Sequence, residues 1–247
     1  MTASTINDAE IAKFTAMAEQ WWDPKGKFKP LHKFNPVRLS YIRDNLLLHF
    51  GRDGNAMRPF DGLTILDVGC GGGLLCEPLA RLGATVTGID AAERNIAIAR
   101  LHAEQSGLDI DYRATTGEAL AAEGKTFDMV LNMEVVEHVD NVPLYMKSCA
   151  DLVKPGGLML TATLNRTARA WALAIVGAEH ILRWLPKGTH DWNKFLTPDE
   201  IKTLLTRNGL VVTGETGVVF HPLADEWRRS RDMSINYMVM AERPARL

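Results

Sequence analysis

Cysteine is scarce in this sequence: 247 residues include only Cys70, Cys76 and Cys149. They form no C-x-x-C pair and no zinc-like spacing, which excludes a disulfide framework and leaves reduced thiols in a cytoplasmic setting as the default. Long apolar runs are missing as well. None approaches the ~18 residues of a membrane span, and residues 1–8 lack the charged start and apolar centre of a signal peptide. Neither sign of charge dominates, since 28 Lys and Arg stand against 30 Asp and Glu. A formal charge of −2 gives no reason to expect nucleic acid as a partner. Repeats and low-complexity tracts are also absent. What is present is 46% hydrophobic and 23% charged residues, an ordinary globular composition with ample core for one larger α/β domain, with or without appendages.

The chain is organised around residues 63–90, LTILDVGCGGGLLCEPLARLGATVTGID. An apolar run, a glycine cluster, a short helical stretch and a second apolar run ending on an acid follow the order of a βαβ unit. Strands are expected at 63–68 and 85–89. Gly69, Gly71 and Gly73 leave no side chains where backbone and helix start must approach a ligand. Asp90 falls at the carboxyl end of the second strand, where a carboxylate can accept hydrogen bonds from both hydroxyls of a ribose. The dinucleotide fingerprint G-x-G-x-x-G does not fit, because Leu74 holds its third glycine position. Asp67 lies two residues before the first glycine, with no Lys or Arg between it and Leu79. A carboxylate there repels a pyrophosphate and suits the ammonium and sulfonium of S-adenosylmethionine. The bland alternative makes the glycines a plain strand–helix connection; the flanking acids weigh against it.

Upstream, Ile11, Phe14, Met17, Ala18 and Trp21 recur at helical spacing over residues 8–22, so one face of an N-terminal helix should be packed. Residues 21–42, WWDPKGKFKPLHKFNPVRLSYI, carry three prolines, aromatics and five basic residues. They are expected to be irregular up to a helix over 39–50. Either they are a solvated basic surface, or Arg38 grips the carboxylate of the cofactor's methionine end while the lysines meet anionic headgroups. Residues 51–62 form a linker. Downstream, helices are expected over 92–106, 142–152 and 201–208. Strands are expected over 110–114, 127–132, 158–163, 211–213 and 236–240, with a turn at Lys154-Pro155-Gly156-Gly157. This alternation predicts a Rossmann-like α/β fold, a mostly parallel seven-stranded sheet with helices on both faces and ligands at the carboxyl ends of the strands. Residues 1–62 are then an N-terminal helical extension covering the site, 63–247 the binding domain, and 164–195 a helical insert after strand five.

At the end of the fourth strand stand Met133 and then Glu134-Val-Val-Glu137-His138. Positions i, i+3 and i+4 share one face of a helical turn. A thioether at Met133 suits an adenine plane. Glu137 and His138 could take a proton from a hydroxyl nucleophile, or the three could hold a divalent ion that lowers the hydroxyl's pKa. The structural alternative pairs Glu137 with His138 without proton transfer. In residues 168–185, Trp171, Ala174, Ile175, Ala178, Leu182 and Leu185 form one apolar stripe opposite Arg169, Glu179, His180 and Arg183. That helix packs on the sheet or a second copy, or it is an interfacial helix or lid over a lipid-like substrate. His190-Asp191 is a second candidate acid–base pair.

Ten blocks carry a resemblance: EIAKF (10–14), WWD (21–23), FKPLHKFNPVRLSYI (28–42), LDVGCGGG (66–73), GATVTGID (83–90), EVVEHV (134–139), LVKPGG (152–157), TLNRT (163–167), VGAEHILRWLPKGTHDWNKF (176–195) and NYM (236–238). The chain resembles class I adenosylmethionine-dependent methyltransferases, and within them the bacterial O-methyltransferases of ubiquinone biosynthesis. The resemblance implies methylation of phenolic hydroxyls on polyprenylated intermediates at two steps of that synthesis, with S-adenosylmethionine as cosubstrate. It places cofactor contacts on Arg38, Gly69, Asp90 and Met133, to which the residue pattern adds Asp67 and Gly71. It also implies a divalent ion such as magnesium at Glu134, Glu137 and His138; the role of catalytic base is assigned to Glu137 and His138 from the residue pattern itself. The insert is similar to the family's membrane-associating region. The expected partners are a polyprenyl phenol or quinol, the inner-membrane surface touched from the cytoplasm, and other ubiquinone-biosynthesis proteins. A phenol ionises near pH 10, so the expected in-line methyl transfer needs a base or a metal. The nearest rival is a methyltransferase acting on a soluble small molecule; a nicotinamide-dependent oxidoreductase and a non-catalytic membrane adaptor fit the glycine loop less well.

Overall fold

A computed structural model describes residues 5–172 and 192–245. Strands β1 (Thr64–Val68), β2 (Thr85–Asp90), β3 (Asp111–Ala114), β4 (Phe127–Met133), β5 (Val153–Leu164), β6 (Val211–His221), β7 (Glu226–Ser230) and β8 (Asn236–Glu242) make one sheet. Its order is β3-β2-β1-β4-β5-β8-β6-β7. The first five pair in parallel, and β8, β6 and β7 join antiparallel. The chain winds outward from β1 to β3, then returns to the other side of β1 with β4. That reversal opens a crevice at the carboxyl ends of β1 and β4, the usual ligand position in such sheets.

The sheet is buried on both faces, and the two-residue period of its strands divides the core. Ile65, Met129 and Leu131 point to one layer with Phe34, Ile42, Leu79 and Ile96. Leu66 and Val130 point to the other with Leu120, Tyr145, Ile201 and Leu205. The first layer is covered by helices α2 (Lys29–His49), α3 (Cys76–Arg81) and α4 (Glu93–Gln105), the second by α5 (Gly117–Ala122), α6 (Val142–Asp151) and α8 (Pro198–Arg207). Helices α1 (Asp8–Thr15) and α7 (Ala168–Ala170) lie outside these layers. Among the described residues no helix is long and apolar enough to cross a membrane.

Three elements differ from expectation. The segment expected to be irregular as far as residue 38 is helical from Lys29, because α2 spans both Pro30 and Pro36. Pro30 sits in the first turn, where a missing N–H costs nothing. Pro36 is interior and costs about 3 kcal/mol. Burial of Phe34, Val37, Tyr41, Ile42 and Leu46 outweighs that cost at about 1.5–3 kcal/mol per large side chain. The N-terminal helix stops at Thr15, and a short 3₁₀ turn, Ala18–Gln20, follows. There Met17, Ala18, Trp21 and Phe28 pack around Leu74 of the glycine loop. Finally, the sheet has eight strands where seven were expected. Strand β6 runs on to His221 and turns into β7, whose Glu226-Trp-Arg-Arg-Ser sequence is the charged pattern that keeps an exposed sheet edge unpaired. Of the insert expected over 164–195, residues 173–191 lie outside the described residues, and with them most of the apolar stripe and His190-Asp191.

Candidate active site

The glycine loop lies at the crevice. The N–H groups of Gly69 and Cys70 both donate to the Ile89 carbonyl, at 2.8 and 2.9 Å, which ties the loop to β2. Gly69 has φ +72, a conformation that glycine takes without strain. A Cβ at Gly69 would also overlap the Val135 side chain. One at Gly71 would overlap the indole of Trp21. Glycine at these positions thus leaves room for Val135 and for the N-terminal segment, and Gly69 and Gly71 also line the cavity beside the loop.

Asp90 ends β2 and accepts three hydrogen bonds: from the Gly71 N–H to Oδ2 at 3.0 Å, from the Ala92 N–H to Oδ1 at 2.8 Å, and from the Asn95 side-chain amide to Oδ1 at 3.2 Å. Burial pushes its carboxyl above the usual range, and these three donors oppose the shift. A carboxylate offers roughly four acceptor directions, so Oδ2 keeps room for a further hydroxyl donor. Asp67, in β1, is 3% exposed and accepts the Cys76 thiol at 3.4 Å. Burial pushes its carboxyl up to about 7; the Cys76 thiol and the Arg38 charge act in the other direction.

Arg38 lies inside α2 rather than just before a helix, and it is 3% exposed. Its guanidinium forms an ion pair with Glu134 at 3.0 Å, while its Nε has no hydrogen-bond partner among the described residues. Arg38, Asp67, Gly69, Gly71, Asp90 and Met133 all line one cavity of about 280 Å³. The structure therefore brings together the six residues expected to hold a cofactor.

The acid–acid–His cluster is different. Glu134 has φ +57, so no helix runs through it, and the 3₁₀ turn covers only Val136–His138. The three side chains consequently diverge. Glu134 pairs with Arg38, Glu137 accepts the Thr163 hydroxyl at 2.8 Å, and the His138 Nδ1 meets Glu10 at 3.0 Å. Glu134 and His138 line the cavity and Glu137 does not. Among the described residues no three His, Cys, Asp or Glu side chains form a metal-ligand group. The expected ligand set of Glu134, Glu137 and His138 does not fit a divalent ion, because the reversed backbone at Glu134 breaks the shared face.

Glu10, from α1, is the partner the sequence reading did not foresee. The hydrogen bond with His138 holds its carboxyl down at about 2 against the effect of burial. The His138 imidazole is held above its ordinary value by Glu10 and by the nearby Glu137 and Glu134 charges, although burial, the largest influence, acts the other way. Phe14 packs edge-on against the same ring, with centroids 5.3 Å apart. Helix α1 is further tied down by a Thr5–Glu118 hydrogen bond and by the Asn7 amide on Asp140 at 2.6 Å. Ile6, Ile11, Phe14, Phe28 and Leu31 give this side of the cavity an apolar wall. A signal for Glu10 and Trp21 was present, since EIAKF and WWD carry both. Nothing local to either block shows that it crosses the chain to the crevice.

A family model described as a methyltransferase domain matches residues 31–215. The ubiquinone biosynthesis O-methyltransferase of Chelativorans sp. (strain BNC1) is 61% identical over 241 residues, 98% of this chain and 95% of that relative. The protein of the same name from Brucella anthropi is 60% identical over 98% of both chains. Among solved structures, magnesium protoporphyrin IX methyltransferase from Synechocystis PCC 6803 with bound SAH superposes with a TM-score of 0.60 at 20% identity, over 98% of this chain and 90% of that one. The N-methyltransferase from Bradyrhizobium japonicum WM9 gives 0.60 at 16% identity, over 96% and 97%. These two share the fold; the curated relatives share the sequence nearly end to end, and the chain belongs with them to the ubiquinone biosynthesis O-methyltransferase family.

Proposed function

We propose that this chain transfers the methyl group of S-adenosylmethionine to phenolic hydroxyls of polyprenylated intermediates at two steps of ubiquinone synthesis. The observation that carries the reading is identity near 60% with ubiquinone biosynthesis O-methyltransferases over nearly the whole chain. The glycine loop beside the cavity, the open acceptor direction on Asp90 Oδ2 and the buried Arg38 Nε support adenosylmethionine as the cosubstrate.

Bound adenosylmethionine supplies a methyl already activated on a positive sulfur. Asp90 holds the ribose, Arg38 the methionine carboxylate, Met133 the adenine face, and Asp67 offsets the positive charge. His138 accepts the phenolic proton as the oxygen attacks the methyl carbon, and the C–S electron pair stays on sulfur to leave a neutral thioether. Glu137 supports the turn through Thr163. The apolar wall from α1 and α2 excludes water and favours a prenylated ring over a polar one. Residues 164–195 serve as a lid or as a membrane-contacting segment; Trp171, 48% exposed at the C-terminal end of α7, supports an interfacial role.

The test is transfer of labelled methyl from adenosylmethionine to a polyprenyl catechol and to a soluble catechol, each with and without chelator. Transfer to the prenylated acceptor in preference to the soluble one is expected. Preference for the soluble catechol favours the small-molecule rival, and no transfer to either overturns the reading. Replacing Trp171 and Trp184 is expected to reduce sedimentation with anionic liposomes while leaving turnover of the soluble catechol intact.

Asp67 adds a pH dependence. A cation favours its ionised form, so cosubstrate binding lowers a carboxyl pKa that stands at about 7 and releases a proton. Affinity for adenosylmethionine is therefore expected to fall as pH drops below about 7. S-adenosylhomocysteine, with a neutral sulfur, should show a shallower slope. Calorimetry at several pH values checks this, and equal slopes for the two ligands remove Asp67 from the role.

A further inference from the structure

Beyond the six expected cofactor residues, a chain of contacts runs from the N-terminal segment into the same site. The Trp21 indole N–H donates to the Asn95 side-chain oxygen at 3.0 Å, and both residues are buried. The Asn95 amide group donates in turn to Asp90 Oδ1 at 3.2 Å. The Trp21 ring is stacked on Phe28 with centroids 3.8 Å apart and planes 7° from parallel, and it covers Gly71 and Gly72 so closely that neither admits a Cβ. Trp22 donates to the Gly72 carbonyl at 2.9 Å, His32 bonds the Trp21 carbonyl at 2.8 Å, and the Asn35 amide donates to the Leu74 carbonyl at 2.8 Å. Residues 21 and 22 lie outside the span matched by the methyltransferase-domain model.

We propose that Trp21 and Asn95 are positioning residues for the cosubstrate's ribose. The inference rests on the adenosylmethionine reading above. Packing on Phe28 and the glycines fixes the indole, and the indole fixes the Asn95 amide oxygen. The opposite end of that amide then holds Asp90 Oδ1, while the Gly71 N–H holds Oδ2. The carboxylate is so oriented before ligand arrives that Oδ2 presents its remaining acceptor direction to a hydroxyl. Without the Asn95 donor, Oδ1 keeps only the Ala92 N–H; the carboxylate is then held less firmly and part of its ordering falls to the binding event, which weakens affinity. The hydroxyls that Asp90 would hold are on C2′ and C3′, several bonds from the sulfur carried on C5′, so the frame acts on binding of the cosubstrate and not on the methyl-transfer step itself.

Two single variants and their combination test this. Trp21→Phe keeps the ring stack and deletes only the indole donor; Asn95→Ala deletes the relay. Calorimetry with S-adenosylhomocysteine is expected to show each single change raising Kd by about tenfold, and the double variant no worse than the weaker-binding single one, because both break one chain. With adenosylmethionine, KM should rise alike while kcat at saturating cosubstrate stays within about twofold of the unaltered enzyme. Multiplying effects in the double variant, an unchanged Kd for Trp21→Phe, or a fall in kcat with Kd unchanged overturns the proposal. Should Asn95→Ala fail to fold, the Trp21→Phe result decides alone. Where the unaltered protein binds no adenosyl ligand, the cosubstrate reading falls first and this inference with it; where it binds and Trp21→Phe is silent, only this inference falls.

Discussion

Asp90→Ala is expected to weaken S-adenosylhomocysteine binding at least about 100-fold, near 3 kcal/mol, since hydrogen bonds to a charged group contribute about 1.5–3 kcal/mol each. Two losses combine. The ribose loses its acceptor, and the Gly71 and Ala92 N–H groups and the Asn95 amide lose theirs. The second loss loosens the glycine loop, which Gly71 otherwise anchors to the end of β2. Asp90→Asn separates the two contributions: it retains an acceptor oxygen but turns one arm into a donor facing N–H groups, so it should rank between alanine and the natural residue. Calorimetry gives the ranking, and a Kd within about threefold for Asp90→Ala would show that the carboxylate does not hold the ligand.

His138→Ala is expected to lower kcat by about 10²–10⁴, the usual contribution of a positioned general base. The pH profile carries the sharper signature. His138 must be neutral to accept the phenolic proton, and Glu10 stabilises its charged form. Activity therefore rises with pH as the imidazole loses its proton, through a value above 6.5. Removing the carboxylate in Glu10→Gln lowers that value, so the acid limb of kcat should move to lower pH while the alkaline plateau stays. An alanine variant of near-normal kcat, or an acid limb that does not move in Glu10→Gln, removes His138 from the role. Measuring kcat at saturating cosubstrate keeps the Asp67 titration out of the profile.

The elements legible in the sequence are those whose physics is local. Strands β1, β2 and β4 show as short apolar runs because a sheet buried on both faces needs no polar alternation. The glycine loop shows because glycine alone suits a turn at φ +72 with a neighbouring side chain packed against it. Asp67 and Asp90 follow from their distance to that turn, and both do line the cavity. Helix α2 was only partly legible: local rules stop a helix at Pro36, and burial of Phe34, Tyr41 and Ile42 against the sheet reverses that outcome. Strand β7 hid behind the charges that protect an edge.

The 134–138 cluster failed for a related reason. Spacing i, i+3, i+4 places three side chains on one face only if the backbone is helical throughout. The Glu134 N–H instead donates to the Ala162 carbonyl of β5 at 2.9 Å, which prolongs the strand pairing by one residue and leaves Glu134 in a left-handed turn. Sequence by itself determined the α/β class, the crevice and the family, and it named six residues that line one cavity, since each rests on contiguous blocks whose chemistry is fixed by spacing. Tertiary structure alone decided that Glu10 reaches His138, that Trp21 reaches Asn95, and that the two acids and the imidazole part company. Those pairings join residues 74 to 128 positions apart, and no local spacing encodes a contact that exists only after the N-terminal segment has closed over the sheet.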